Sequence, residues 1–235
     1  MLECITLAGD TIGWSVGGAA ASRRRPRQAQ PDGGAAEDAV QAISRQTFEV
    51  MRDLEARDAA DRLDGTSHSA RLRAIGPQTG EFLRTLVLAT AAKVIVEVGT
   101  GSGYSALWLA QGTVQTGGRI TTFETDTAKA AIARETFRKA GIEDVVDLRE
   151  ADGGTGLAGF DGRADFVFLD AEKADYTRFL DPAVRALRRG GLLVADNLIS
   201  HAADLVEFRE RALSDPRLTG LVVPVGQGEL LAVRL

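Results

Sequence analysis

The sequence predicts an α/β fold built on a mostly parallel sheet, and three observations carry that expectation. From residue 93 onward, short apolar runs alternate with segments of helical periodicity. The runs are continuously apolar, as expected of strands buried on both faces under helices. The last two runs, in VVPVGQGELLAVRL, are joined by a short Gly-containing link that leaves no room for a crossover, so they must pair antiparallel.

Taken in order, residues 1–36 are rich in Gly, Ala, Arg, Pro and Gln, and SRRRPRQAQPDGGAA has neither a helical nor a strand period. This reads as a flexible tail. Its basic run at 23–27 reads first as a solvated stretch, with phosphate contact as the alternative. The opening has no basic region ahead of its apolar stretch, so no signal peptide is expected. From Glu37 the pattern turns helical, with Val40, Ile43, Val50, Met51 and Leu54 apolar among charges, and a polar break follows at DGTSHS. That helix offers a surface for a homodimer or a cover over the site. A second helix is expected from Pro77, with Phe82, Leu83, Leu86 and Val87 on one face. Residues 37–90 thus form a helical lead-in and 91–235 the core of one domain, with strands expected at 93–98, 119–124, 145–149, 165–170, 191–196, 221–225 and 229–234. Helices are expected from Ser105 and over 127–140, 175–189 and 202–213, with Gly190 ending the third of these.

Composition narrows the function. The net charge of −5 disfavours, without excluding, a polyanionic partner such as nucleic acid. Cys4 is the single cysteine, so there is no internal disulfide and no thiol cluster for zinc, which fits the cytoplasm. No uninterrupted apolar run approaches a membrane span.

The first chemical signal is VIVEVGTGSGYS at 94–105, where a buried strand runs into Gly99, Gly101 and Gly103 and then a helix. Such a loop lets backbone approach a nucleotide-type ligand closely. The spacing is not the G-x-G-x-x-G of dinucleotide enzymes, and Glu97, two residues before the first glycine, suits a cationic amino group where a phosphate would be repelled. S-adenosylmethionine carries such an amino group and a sulfonium. The next strand ends at Glu124, whose carboxylate can accept both hydroxyls of a ribose at about 1.5–3 kcal/mol per charge-assisted bond. The third strand leads to Asp152 and Gly153, placed for an adenine edge.

Downstream, DFVFLDAEKADY and GGLLVADNL end adjacent strands in Asp170 and in Asp196-Asn197. Carboxylates forced together repel unless a positive charge lies between them, and an all-oxygen set suits a hard cation such as Mg2+. The same residues also read as a cofactor-edge acid and a turn cap, and spacing alone does not separate the two. Lys173 lies three residues beyond Asp170. A cation beside it would disfavour its protonated form, which makes it a candidate base for an acceptor hydroxyl.

Together VGTGSGYS, FETD, LDAEKADY and ADNL resemble the metal-dependent O-methyltransferases, the family of catechol and caffeoyl-CoA O-methyltransferases and their bacterial relatives. The resemblance spans roughly residues 74–235. It implies a Rossmann-like class I methyltransferase fold, with Glu97, Gly99, Thr100, Gly101 and Ser105 at the methionine portion of the cofactor and Ile75 bordering it. It further implies Glu124 at the ribose, Asp152 and Gly153 at the adenine, Asp170, Asp196 and Asn197 on a divalent metal, and Lys173 as base. Glu172 departs from the family, standing where catechol-type enzymes present an aromatic wall, and LREADGG departs from the commoner Gly-Pro-Ala or Gly-Asp-Ala. His201 reads as a surface histidine at a helix start, with acceptor or metal contact as the alternative, and His68 in its polar loop suggests no role.

The expected activity is O-methylation of a small hydroxylated acceptor, a catechol or vicinal diol whose two oxygens can chelate one cation. Methylation of a hydroxylated tRNA base is the alternative within the class. From other classes there remain a nicotinamide-dependent oxidoreductase, opposed by the glycine spacing, and an inactive S-adenosylmethionine-binding module.

Overall fold

Two helices lead the chain in the computed structural model, which describes residues 33–67 and 71–235, with side chains from residue 45 onward. The expectations for 1–32, Cys4 and the basic run among them, and for His68 lie outside the described residues. Helix α1 (Gly33–Asp61) begins four residues ahead of its expected start, and α2 (Pro77–Ala89) starts on its proline as expected. There follow β1 (Val94–Val98), α3 (Tyr104–Thr116), β2 (Arg119–Glu124), α4 (Thr127–Ala140), β3 (Val146–Glu150), the short α5 (Gly153–Leu157) and β4 (Ala164–Leu169). The chain closes with α6 (Tyr176–Ala186), β5 (Leu187–Ala195), α7 (Val206–Ser214), β6 (Leu218–Val223) and β7 (Glu229–Arg234).

The strands form one sheet in the order β3-β2-β1-β4-β5-β7-β6. The first five are parallel, and β7 runs antiparallel to both β5 and β6, as the short final link requires. The result is the Rossmann-like fold that the alternation of strands and helices implied. Along each central strand successive side chains enter opposite layers. Ile95, Phe166, Phe168 and Val194 pack under α1, α2 and α3, where they meet Met51, Leu83 and Leu107. Val96, Val98, Val167 and Leu169 pack on the other face with Phe179, Leu180 and Phe208.

Further boundaries differ from expectation. Helix α6 ends at Ala186 rather than 189, and Gly190 lies inside β5 with φ +76 instead of stopping the helix. Leu187 is drawn into the sheet opposite Ala164, and Arg188 Nε donates to Asp165 Oδ1 at 2.5 Å, so tertiary pairing overrides the helical pattern there. Helix α7 starts at Val206 instead of 202; residues 198–205 run as turns, in which the N–H groups of Leu198, Ile199 and Ser200 are taken by the carbonyls of Gly228 and Gln227 and those of Asp204 and Leu205 by the His201 carbonyl. Finally, β6 begins three residues earlier than expected, at Leu218.

Candidate active site

Strand register builds the site. Val98 pairs with Phe123 on one side and Leu169 on the other, and Leu169 pairs with Ala195. The next residue on each strand therefore falls in one row along the carboxyl edge: Glu124, Gly99, Asp170 and Asp196. Ligands of open α/β sheets bind at this edge. Gly99 has φ +98, and a Cβ on it would stand 2.2 Å from the Asp170 carbonyl oxygen, so only glycine lets the two loops meet.

On the Gly99 side the candidate donor residues gather. Glu97 is fully buried; its Oε1 accepts from Ser105 Oγ at 2.5 Å and its Oε2 from Thr122 Oγ1 at 2.6 Å. Because Thr122 spends its hydrogen on Glu97, Thr100 is the donor in the 2.6 Å contact between the two threonine hydroxyls. Burial pushes the Glu97 carboxyl up to about 7, against the two hydroxyl donors that pull it down. Glu124 closes the glycine loop on itself: Oε2 accepts from the Gly101 N–H at 2.8 Å, and Oε1 from the Thr125 and Asp126 N–H groups at 2.9 and 3.0 Å. Gly103 is the left-handed N-cap of α3, and Ile75 is buried in the link before α2. The carbonyl of Leu72, in the same link, lies 3.9 Å from where a Gly101 Cβ would be.

Asp152 and Gly153 stand at the N-terminus of α5. The Asp152 carboxylate is already engaged, with Oδ1 accepting from the Thr155 N–H at 3.0 Å and Oδ2 from Arg178 Nη1 at 2.7 Å. These donors hold it below the usual carboxylate range. An adenine edge at this point would meet backbone, the Arg178 guanidinium and Phe179, whose ring that guanidinium covers at 4.2 Å.

On the other side of Gly99, Asp170 and Asp196 act on one another. Asp196 is raised by burial and then by the charge of Asp170. Its Oδ1 accepts from the Asn197 N–H at 2.6 Å, and Asn197 itself adopts φ +74, a left-handed turn that asparagine tolerates. Lys173 Nζ donates to Asp170 Oδ1 at 3.0 Å, to the Ala171 carbonyl at 3.1 Å and to Tyr176 Oη at 3.4 Å, so its three hydrogens are all placed. Glu229 is fully buried beside Asp196: Thr79 Oγ1 donates to its Oε1 at 3.0 Å, Oε2 has no partner, and burial with the Asp196 charge raises it strongly. Among the described residues no three His, Cys, Asp or Glu side chains gather as a metal site. The donors that fit a hard divalent cation are therefore two carboxylates and the Asn197 amide. The fit rests on charge and donor chemistry: the carboxyl groups of Asp170 and Asp196 stand beside the one ammonium of Lys173, Glu229 is kept neutral by burial and the Asp196 charge, and the donors of Asp170, Asp196 and Asn197 are oxygen.

Several residues at the site were not singled out from the sequence. Tyr176, read there only as part of an apolar helix face, donates to the Leu169 carbonyl at 3.1 Å and lies 3.2 Å from that of Asp196, tying together the ends of β4 and β5. Arg73 forks Glu172 across the mouth of the row. Thr122 was legible only as a strand residue, and Thr79 and Glu229 carried no signal. His201 is exposed and its Nδ1 lies 3.0 Å from Ser200 Oγ, which in turn accepts from Asn197 Nδ2 at 3.3 Å.

The O-methyltransferase family model matches residues 43–235. A protein of Mycobacterium sp. (strain KMS), whose name assigns it to the O-methyltransferases, is 36% identical over 177 residues, covering 68% of this chain and 79% of its own. The crystal structure of a Bacillus cereus O-methyltransferase in complex with S-adenosylhomocysteine superposes with a TM-score of 0.67 at 26% identity, over 80% of this chain and 91% of that one. TomG of Streptomyces achromogenes, an O-methyltransferase involved in tomaymycin synthesis and solved with S-adenosylmethionine, gives 0.65 at 25% identity, over 77% and 88%. Motifs, strand order and relatives agree on one assignment: the chain belongs to the O-methyltransferase family and takes the methyl group it transfers from S-adenosylmethionine.

Proposed function

We propose that this enzyme methylates a hydroxyl of a small catechol-like or vicinal-diol acceptor with the help of a divalent cation, Mg2+ by preference. The observation that supports this reading is the convergence of Asp170 and Asp196 on neighbouring strand ends, where burial and mutual repulsion leave an excess of negative charge that one lysine only partly offsets. Asp170, Asp196 and Asn197 would hold the cation, and Glu97, Ser105, Glu124 and the glycine loop the donor. When bound, S-adenosylmethionine supplies an electrophilic methyl and the cation draws the acceptor hydroxyl toward its ionised form.

The chain's own groups then have definite tasks. The Glu97 carboxylate faces the amino group of the methionine end, and Glu124 accepts from the ribose. Lys173 Nζ receives the acceptor's hydroxyl proton. For that the ammonium must first lose to solvent one of the protons it now gives to Asp170, Ala171 or Tyr176, and the proton taken from the acceptor then restores it. The oxygen left behind forms the new bond to the methyl carbon as the carbon–sulfur bond breaks and its electrons stay on sulfur. Positioning and charge compensation carry most of the acceleration. The proposal extends to a homodimer, whose check is the mass in solution by light scattering.

The test is a methyl-transfer assay on catechols, hydroxycinnamoyl thioesters and hydroxyuridine-containing RNA, with and without EDTA. Turnover of a diol that EDTA abolishes and Mg2+ restores is the expected result. Undiminished turnover in EDTA would sink the metal, and turnover of RNA alone would sink the small acceptor. Lys173→Met is expected to cut kcat by about 100-fold or more, the scale of a lost general base, while S-adenosylhomocysteine still binds.

A further inference from the structure

The link between α1 and α2 places a charged residue over the row of site carboxylates. Arg73 adopts φ +50, a left-handed conformation that is costly for a residue with a side chain and is found most often where function needs it. Its neighbour Leu72 turns its carbonyl toward Gly101, so this stretch of the link borders the glycine loop. The guanidinium meets Glu172 with both of its terminal nitrogens: Nη1 donates to Oε2 at 3.3 Å and Nη2 to Oε1. The charges of Asp170, in the cation half of the site, and of Glu124, in the donor half, also act on it.

The two members of this pair are unequal. The Arg73 side chain is 32% exposed and that of Glu172 62%. Arginine is the anchored half and glutamate the half that can leave. A partly exposed ion pair is weak enough to be exchanged, and the charge of Lys129 also acts on Glu172, which gives it a second cation nearby when it leaves. The planar guanidinium fork is suited to any incoming carboxylate. Lys173, with three acceptors already, is not available for that purpose.

We propose that Arg73 is a specificity-determining residue that takes a carboxylate of the acceptor in exchange for Glu172, so that the enzyme's acceptor is an acid. This rests on reading the cleft as the place of methyl transfer to a small hydroxylated molecule. Glu172 then serves as a stand-in anion that keeps the guanidinium paired while the cleft waits for its acceptor.

The experiment uses the full chain with S-adenosylmethionine and Mg2+ and compares 3,4-dihydroxybenzoate with its uncharged methyl ester. Wild type should prefer the acid. Arg73→Gln should lower the acid-to-ester ratio of kcat/KM by about tenfold to a hundredfold, mostly through KM, the range expected for one charge-assisted pair. Glu172→Gln should raise that ratio. An unchanged ratio in Arg73→Gln overturns the proposal. The other source of a carboxylate is the methionine end of the cofactor, so S-adenosylhomocysteine is titrated into both proteins. Equal affinities support the acceptor assignment, and a loss in Arg73→Gln as large as the loss for the acid overturns it. Should wild type turn over neither diol, the small-diol reading fails separately. Benzoate, an acid without a diol, is then titrated into the S-adenosylhomocysteine complex: weaker binding by Arg73→Gln supports the role of Arg73, and equal binding overturns it.

Discussion

Glu97 has both oxygens occupied and no contact with solvent, and its carboxyl titrates near 7 rather than at the ordinary 4.5. Between those values the folded chain keeps a proton that the unfolded chain has lost, so this group's contribution to stability is fully present below 4.5 and is lost as pH rises through about 7. A cationic amino group reverses the preference, because it favours the ionised form. The affinity for S-adenosylhomocysteine should therefore rise with pH up to about 7 and then level off, with proton release on the acid side, as calorimetry in buffers of different ionisation enthalpy will register. Glu97→Gln should bind at least about tenfold more weakly and lose that pH dependence, as the loss of one charge-assisted bond implies; a flat wild-type profile would remove Glu97 from the cofactor site. Among single residues, those legible in the sequence were acids standing beside glycines or at the ends of apolar runs: Glu97, Glu124, Asp170 and Asp196. Arg73, Thr122 and Glu229 were not, because each is defined by a partner 99, 25 or 150 residues away, a relation that only the folded chain creates.

Secondary-structure elements were legible where their ends carry local chemistry. Helix α4 lies where it was expected, since Asp126 caps its first turn by accepting from Ala128 and Lys129 N–H, and Gly141 closes it in a left-handed conformation. The end of α6 was misplaced because its stop is enforced from a distance, by the pairing of Leu187 with β4 and the ion pair of Arg188 with Asp165. Helix α6 also makes the most consequential contact of any element with the site, through Tyr176. Tyr176→Phe keeps the ring against Phe208, with centroids 5.2 Å apart, and removes only the hydroxyl between the Leu169 and Asp196 carbonyls. The variant should lose about 1–3 kcal/mol in urea unfolding, the cost of unsatisfied buried polar groups. Mn2+ binding followed by electron paramagnetic resonance should weaken as well. Unchanged Mn2+ affinity with lowered stability would make the tyrosine a purely structural clamp.

At the scale of the whole molecule, the sheet separates two apolar layers, and α1 belongs to the layer above β1, where Val50, Met51 and Leu54 are buried. Met51 also accepts a bond at Sδ from Gln111 Nε2 at 3.4 Å, and Tyr104 Oη donates to Glu55 at 2.5 Å, so α1 is fastened to α3 by polar as well as apolar contacts. Met51→Ala should cost about 2–5 kcal/mol and shift the single unfolding transition rather than create a second one, because α1 shares the core. The overall topology could be read from the chain because parallel crossovers and the short last link admit few arrangements; the cleft could not, because it is assembled from six separate loops. The tight seam at Gly99 has an evolutionary corollary. With backbone against backbone there and no space for even one methyl group, the floor of the cleft offers no room for innovation. Relatives that adopt bulkier molecules are expected to differ in the rim, around residues 71–73 and 199–203, while the seam is inherited unaltered.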